Sequence, residues 1–257
     1  MLFDSHCHLD DPRLFPHLGR LISEAGAVGI TGFLVPGVAP EGWGTISTLS
    51  ATFPQIYPAF GVHPMHADLL TPKAVSDLCR LAGTASAIGE IGLDYLIPSP
   101  SRQLQQQAFR TQLRIAAKAQ LPVLLHCRKA FADLLYIMEE EGFCCGGVMH
   151  AFSGSLETAR NCLRRGLHIS LSGSVTYANA RRPVEVAAEI PLDRLLLETD
   201  APDLAPEPHR GSVNLPSYLL ETASRVAQIR GMALGELGET TTGNAARLFR
   251  LKVNLPS

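Results

Sequence analysis

The amino-acid sequence contains no stretch typical of a membrane-spanning helix, because no run approaches the roughly 18 consecutive apolar residues that such a helix needs. The N-terminus also lacks a basic region followed by an apolar core, so we expect no secretory signal and a cytoplasmic location. The six cysteines show neither paired spacing nor a Cys-x-x-Cys motif. We therefore interpret them as reduced thiols of a cytosolic protein.

An excess of charge of either sign is absent as well. Lys and Arg number 22 and Asp and Glu number 24, which leaves a net charge of −2. A strongly basic surface would have favoured nucleic-acid binding, so any function on nucleic acid must depend on a local site. With 46% hydrophobic and 18% charged residues, the composition is that of a globular protein with a large core.

Short apolar runs alternate with longer amphipathic segments along the chain. The short runs are rich in Val, Ile, Leu and Gly, as expected for buried parallel strands. Eight strands, each followed by a helix or helical turn within about 250 residues, predict an α/β fold of the (β/α)8 TIM-barrel class. The strands are predicted at residues 2–8, 29–38, 57–63, 85–93, 121–127, 147–152, 167–173 and 194–199.

The main alternative fold is a doubly wound open sheet. No Gly-x-Gly-x-x-Gly turn follows the first strand, which argues against a dinucleotide-binding version of that fold. The sequence has no low-complexity tract, no linker and no repeat beyond the strand–helix unit, so we predict a single domain over residues 1–257. The clearest helices are predicted at residues 101–120, 129–142, 155–165, 214–230 and 233–250.

Ionisable residues lie at the C-terminal ends of the predicted strands, where the active site of such a barrel is found. His6 and His8 end the first strand and point to one side, roughly 6–7 Å apart along the backbone. A single such residue has an ordinary explanation as a core histidine or a helix cap, but buried charge on several strands needs pairing or a metal ion. Four histidines and two carboxylates that converge on the mouth of the barrel predict a dinuclear metal centre.

The motifs at these strand ends resemble those of the TatD-type metal-dependent hydrolases, which belong to the amidohydrolase-like barrels. The resemblance covers essentially the whole chain and includes segments 173–177 and 208–211 with Asn214 and Pro216. Ala151 departs from the family, where a cysteine is common, without affecting a ligand. The other matching motifs are Asp4-Ser5-His6-Cys7-His8, Gly61-Val62-His63-Pro64 and segments 89–95, 125–128, 150–154 and 198–202.

This resemblance implies a centre of two divalent cations in which Glu90 bridges the ions. Carried over by position, His6, His8 and Asp200 would hold one ion, and His126 and His150 would hold the other. No lysine occurs in the fourth strand, which distinguishes the chain from lactonases whose bridge is a carboxylated lysine. Imidazole ligands favour Zn, Mn, Co or Ni, whereas the family is usually described as Mg-dependent, so the identity of the metal stays open.

We expect the centre to activate a water molecule for hydrolysis. Asp200 and Glu90 are the predicted catalytic residues, with Asp200 accepting the proton of the attacking water. The resemblance implies phosphodiester hydrolysis, with DNA trimmed from an end as the family's best-known activity. Phosphate oxygens would be bound by the side chains of His63, Arg128, His209 and Arg210.

Two other functions fit the same residues. The first is an amidohydrolase-type enzyme that cleaves an amide, a lactone or an aminoacyl ester with the same metals. The second is a binding protein with a structural metal, which is disfavoured because a structural zinc site is normally closed by four ligands. For partners, we expect nucleic-acid ends or another phosphodiester as substrate, no membrane, no obligate protein partner and a monomer.

Overall fold

Eight parallel strands form one sheet in which each strand pairs with the next one along the chain. The protein was analysed as a computed structural model that describes residues 1–251. The strands are β1 (Leu2–Asp4), β2 (Ile30–Pro36), β3 (Ile56–Phe60), β4 (Ala87–Asp94), β5 (Val123–Arg128), β6 (Gly147–Met149), β7 (Leu167–Leu171) and β8 (Leu195–Leu197).

Helices follow the strands on the outside of the sheet. The first strand is followed by a short 3-10 turn before its helix, and the last strand is followed by two helices. The α-helices are α1 (Leu18–Ala27), α2 (Trp43–Thr52), α3 (Pro72–Leu81), α4 (Arg102–Ala119), α5 (Phe131–Glu140), α6 (Leu156–Arg164), α7 (Arg181–Glu189), α8 (Leu219–Arg230) and α9 (Leu234–Phe249).

The sheet curves until its first and last strands meet. The backbone N–H of Ser5 donates to the carbonyl oxygen of Leu197 at 3.0 Å, and that of Asp200 donates to the carbonyl oxygen of His6 at 2.9 Å. These bonds join the ends of β1 and β8, so that the sheet forms a nearly closed barrel. The prediction of a (β/α)8 TIM barrel is therefore confirmed.

Several predicted boundaries differ from the structure by a few residues, and at two of them a side chain binds the backbone where the boundary changes. The first strand ends at Asp4 instead of reaching His8, since the Asp4 carboxylate accepts a hydrogen bond from the backbone N–H of His6 at 3.2 Å. The helix predicted from residue 214 begins at Leu219. Asn214 lies in the preceding loop, where its side-chain amide donates to the carbonyl oxygens of Thr199 and Asp203.

The interior of the barrel has an apolar layer below a polar one. Leu124, Val148 and Leu196 belong to one buried cluster, which also contains Phe249 of α9. Two residues further along the chain come His126 within β5 and, directly after β6 and β8, His150 and Glu198. Because successive side chains of a strand alternate between faces, residues two apart share the inner face. The apolar layer thus supports the polar layer at the C-terminal mouth of the barrel.

Other predictions concern the membrane, the thiols and the domain. None of the helices in residues 1–251 has the length and apolar composition needed to cross a membrane. All six cysteines are free thiols, and Cys7 and Cys127 are buried. The single domain predicted over residues 1–257 stays a prediction, since residues 252–257 lie outside the described part of the chain.

We expect Gly92→Ala to destabilise the barrel strongly. Gly92 has a φ of 144°, and a Cβ atom at this position would overlap the backbone carbonyl of His126 on the neighbouring strand. The free energy of unfolding should fall by about 3 kcal/mol or more, measured by urea denaturation. The control is Gly44→Ala in α2, where no atom lies within 4 Å of the added Cβ. That substitution should change stability by no more than about 1 kcal/mol, and equal losses in both variants would contradict the argument.

Candidate metal centre

The mouth of the barrel collects the ionisable residues that the strand ends supply. β4 and β5 carry ligand candidates within the strands themselves, whereas those of β1, β6 and β8 lie one to four residues after the last strand residue. All six predicted metal ligands lie within this cluster, and they are His6, His8, Glu90, His126, His150 and Asp200.

One group of ligand atoms surrounds the Nε2 atom of His6. The Nε2 atoms of His6 and His8 are 3.1 Å apart. The His6 Nε2 atom lies 3.3 Å from Glu90 Oε2 and 3.5 Å from Asp200 Oδ1. His8 Nε2 is 3.9 Å and 3.8 Å from the same two oxygens. Two imidazoles and two carboxylates therefore converge on one point, which we call the first position.

A second group surrounds the other oxygen of Glu90. The Nδ1 atom of His126 and the Nε2 atom of His150 are 3.2 Å apart. Glu90 Oε1 lies 3.0 Å from the former and 2.8 Å from the latter. These three atoms define the second position. Because Glu90 directs one oxygen to each position, its carboxylate has the placement of a bridge.

The spacing of these atoms fits divalent metal ions. Ligand bonds of about 2.0–2.2 Å in tetrahedral or octahedral geometry place the ligand atoms about 2.8–3.6 Å from one another. The separations at both positions fall in this range, apart from the slightly longer distances between His8 and the carboxylates. Imidazole nitrogens that face each other at such distances need a proton or a cation between them. Three overlapping groups are spaced for metal binding, and they are His6 with Glu90 and His150, His6 with His8 and Asp200, and His63 with Glu90 and His126.

The pKa values of the two acidic ligands, Glu90 and Asp200, are shifted in opposite directions. Burial alone would raise the pKa of Glu90, but the charges of His150, His6 and His63 and a hydrogen bond from His126 hold it well below its ordinary value. Burial raises the pKa of Asp200 well above its usual range, and the nearby carboxylates of Glu198 and Glu90 raise it further although His150 lowers it. A cation at the first position would offset this crowding of negative charge.

Two further carboxylates support the histidines of the second position. Asp94 Oδ2 accepts a hydrogen bond from His126 Nε2 at 3.1 Å, and Glu198 Oε1 lies 3.6 Å from His150 Nδ1. The hydrogen bond to Asp94 selects the tautomer of His126 that leaves Nδ1 free for a metal, whereas the charge of Glu198 favours a proton on His150 Nδ1 and so leaves Nε2 free. The sequence reasoning assigned no role to either residue. The available signal was an extra buried acid on a strand that already carried a ligand.

Asp4 performs a related task for the first position. Its carboxylate accepts hydrogen bonds from the hydroxyl of Thr199 at 2.6 Å and from the backbone N–H of Thr199 at 2.9 Å. Because it also accepts from the backbone N–H of His6, Asp4 joins the segment carrying His6 to the segment carrying Asp200. Burial raises the pKa of Asp4 to about 7, although the bonds from Thr199 oppose this shift. This contact was not foreseen from the sequence either.

His63 lies beside the second position but is oriented as a donor. Its Nδ1 atom accepts a hydrogen bond from the backbone N–H of Met65 at 3.1 Å, so the neutral ring carries its proton on Nε2. Burial lowers the pKa of His63 to about 3, which keeps the ring neutral at pH 7. The Nε2 atom is 3.6 Å from Glu90 Oε1. With a proton on this nitrogen, His63 is better suited to contact a substrate oxygen than to bind a metal.

A cavity of about 840 Å³ opens above the cluster, and it contains two of the four predicted substrate contacts. His63 and Arg128 line it, and the Arg128 side chain is 56% exposed with Nη1 3.7 Å from Asp94 Oδ2. His209 and Arg210 are not among its lining residues. His209 stacks on Tyr218 with ring centroids 3.7 Å apart, and Arg210 lies over the ring of Tyr177. Substrate binding by these four residues stays a prediction.

We expect Asp94→Asn and Glu198→Gln to weaken metal binding at the second position. Each substitution keeps the shape of the side chain but removes the negative charge behind a histidine, and such losses reduce metal affinity about 10–100-fold. Calorimetric titration of metal-free protein with Zn²⁺ or Mn²⁺ would measure the affinity. Asp77→Asn in α3 is the matched control, because Asp77 pairs only with surface residues on its own helix. Unchanged affinity in both site variants would contradict the proposed support.

Comparison with known proteins agrees with the metal centre. A family model described as TatD related DNase matches residues 3–250. The metal-dependent hydrolase YabD of Bacillus subtilis is 38% identical over 254 residues, which make up 98% of this chain and 100% of YabD. The similarity therefore extends over the full length of both proteins.

Solved structures agree with the barrel as well. The crystal structure of YjjV, a TatD homologue from Escherichia coli, has a TM-score of 0.92 and 29% identity, covering 97% of this chain and 98% of YjjV. A lactonase from Deinococcus radiodurans shares the fold at a TM-score of 0.64 and 18% identity, over 96% of this chain and 95% of the lactonase. With a matching family model, a full-length relative and a ligand cluster at the barrel mouth, the chain belongs to the TatD family of metal-dependent hydrolases.

Proposed function

We propose that the protein is a phosphodiesterase that acts on the ends of nucleic acids, most specifically a deoxyribonuclease. The observation that carries the proposal is the placement of Glu90 between two groups of ligands, with the donors His63 and Arg128 in the same cavity. A two-metal centre flanked by cationic or N–H donors suits a reaction in which negative charge develops on phosphoryl oxygens. The description of the family model as a DNase supports the same activity.

The ligands divide between the two ions as their distances suggest. His6, His8 and Asp200 would hold one divalent cation, His126 and His150 the other, and Glu90 both. When bound, such ions lower the pKa of a coordinated water and neutralise charge on a phosphoryl group. Four imidazoles favour Zn²⁺, Mn²⁺, Co²⁺ or Ni²⁺ over Mg²⁺, which prefers oxygen ligands and retained water.

The side chains of the protein then position the substrate and transfer the proton. Asp200 follows β8 with Oδ1 directed toward His6 and lines the cavity, so it can accept the proton of an attacking water. The N–H of His63 Nε2 and the fork of donors on Arg128 would bind non-bridging phosphate oxygens. Arg128 Nη1 lies 3.7 Å from Asp94 Oδ2, which places the guanidinium beside the ligand cluster.

The alternative is hydrolysis of an amide, a lactone or an aminoacyl ester at the same centre. It is supported by the shared barrel of the Deinococcus radiodurans lactonase, although a fold does not determine a substrate. Against it stands Arg128, whose charge serves a phosphate better than a neutral carbonyl group. The residues of β4 contain no lysine, so a carboxylated-lysine bridge is not available from that strand.

The proposal extends to the cellular setting. A cytoplasmic location agrees with six free cysteines, since the cytosol keeps thiols reduced. We propose that the protein acts as a monomer without an obligate protein partner and that it needs no membrane. Gel filtration coupled to light scattering of the purified protein would test the monomer.

Metal-reconstituted protein should cleave end-labelled single-stranded DNA and lose this activity in the presence of a chelator. The reason is that every proposed step needs the ligand cluster to be loaded. The assay panel should include single-stranded DNA, RNA, a simple phosphodiester, an amide and a lactone, each with and without EDTA. Turnover of the amide or the lactone without cleavage of any phosphodiester would reject the nuclease in favour of the alternative.

Asp200→Asn should lower kcat by about 100-fold or more while the protein keeps at least one bound metal ion. The amide cannot accept a proton, whereas the second position does not involve Asp200. Kinetics on single-stranded DNA and metal analysis by mass spectrometry give the two readouts. The control is Asp193→Asn, because Asp193 is exposed and lies at the opposite end of β8 from Asp200. A near-normal rate for Asp200→Asn would show that another group accepts the proton.

A further inference from the structure

We propose that the cavity above the metal centre has two functionally distinct sides, one that contacts the terminal nucleobase and one that contacts the phosphodiester chain. The base side follows strands β8, β1, β2 and β3, and the phosphate side follows β5, β6 and β7. His63, although it also follows β3, lies deeper, with Nε2 3.6 Å from Glu90 Oε1, and contacts the scissile phosphate at the metal centre. This inference rests on the proposed phosphodiesterase function and assigns the residues that recognise its substrate. Leu204 and Met65 are the principal contacts to the base.

Exposed apolar side chains gather at this end of the barrel. Among the described residues, eight large hydrophobic side chains are exposed, and five of them lie in loops that follow strand C-termini. Met65 is 47% exposed in the loop after β3, and Leu204 is 36% exposed in the loop after β8. Both also line the cavity above the metal ligands. Apolar surface left open at the entrance of a polar site indicates a ligand with an apolar face.

The position of the apolar residues in the barrel defines the base side. Leu204 follows β8, Pro12 follows β1, Val38 follows β2 and Met65 follows β3. In the strand order β1 to β8 of a nearly closed barrel, these four strands are consecutive. The apolar lining is therefore a continuous arc on one side of the mouth. A flat nucleobase presents an apolar face of matching character.

The charged groups of the same arc disfavour phosphate. Asp10, Asp11 and Asp203 line the cavity there. Arg13 donates to both Asp11 and Asp203, which leaves the three carboxylates with one arginine, and Asp10 Oδ1 is buried without a hydrogen-bond partner. A second phosphate would be repelled at this side. Carboxylate oxygens instead accept hydrogen bonds from the exocyclic amino groups and ring N–H groups of bases.

The opposite side of the cavity, after β5, β6 and β7, offers hydrogen-bond donors that suit phosphate. Arg128 ends β5, Ser153 follows β6 and Ser174 follows β7, and all three line the cavity. A guanidinium and two hydroxyl groups offer donors to phosphate oxygens. Because β1 and β5 are four strands apart in a barrel of eight, the arginine lies across the metal centre from the acidic side. A chain end thus binds with its base toward Leu204 and Met65 and its next phosphates toward Arg128.

The test compares two single-stranded oligonucleotides on metal-reconstituted protein. One has ordinary nucleotides at both ends, and the other has a tetrahydrofuran abasic residue at each end, so the phosphodiesters are the same and only the terminal bases differ. Wild-type protein should show a kcat/KM about tenfold higher on the ordinary oligonucleotide. Met65→Ala/Leu204→Ala should lower that value to near the abasic one and change the rate on the abasic oligonucleotide less than twofold.

A matched control is available at the other end of the barrel. Leu234, the first residue of α9, is 37% exposed and Val28 is 38% exposed, so Val28→Ala/Leu234→Ala removes comparable apolar surface away from the cavity. This variant should keep the tenfold preference. Equal wild-type rates on both oligonucleotides, or equal losses on both in Met65→Ala/Leu204→Ala, would overturn the assignment while leaving the phosphodiesterase intact. Cleavage of neither oligonucleotide by wild-type protein would overturn the proposed function itself and this inference with it.

Discussion

The burial of a carboxylate at the centre of the barrel mouth is the constraint on which the site depends. Glu90 is only 3% exposed, and a buried charge is costly unless it is paired or bound to a metal. Imidazoles surround it, with His6 facing one oxygen and His126 and His150 facing the other. When metal ions occupy the two positions, their positive charge compensates the buried carboxylate of Glu90. The need to neutralise Glu90 thus accounts for the number and arrangement of the histidines.

The same constraint explains why the ligands lie on strands and at strand ends. A centre with ligand atoms 2.8–3.9 Å apart tolerates little motion, and the strands of a packed barrel are its most rigid elements. The apolar layer of Leu124, Val148 and Leu196 supports the polar layer from below. Beyond the strand ends, a carboxylate holds the ligand segments in place, because Asp4 joins the segment that carries His6 to the segment that carries Asp200.

Much of the fold was predictable from the sequence because parallel barrel strands have a strong pattern. Each of the eight apolar runs became a strand, and ionisable residues at their ends marked the mouth. Supporting carboxylates such as Glu198 escaped prediction, since a pattern cannot distinguish an acid that binds a metal from one that orients a ligand. His209 and Arg210 lie in a long loop, where the spacing of residues along the sequence does not predict which way a side chain points. Their contacts to Tyr218 and Tyr177 needed coordinates.

The proposed action on a polyanion has to be reconciled with a net charge of −2. Long-range attraction is absent, so binding must come from a few local contacts. Arg128 supplies a donor at the end of β5, while Met65 and Leu204 supply apolar surface from loops. Loops tolerate substitution better than the strands that hold the metal ligands. Substrate preference can therefore change in such a barrel without disturbing the ligand cluster at its mouth.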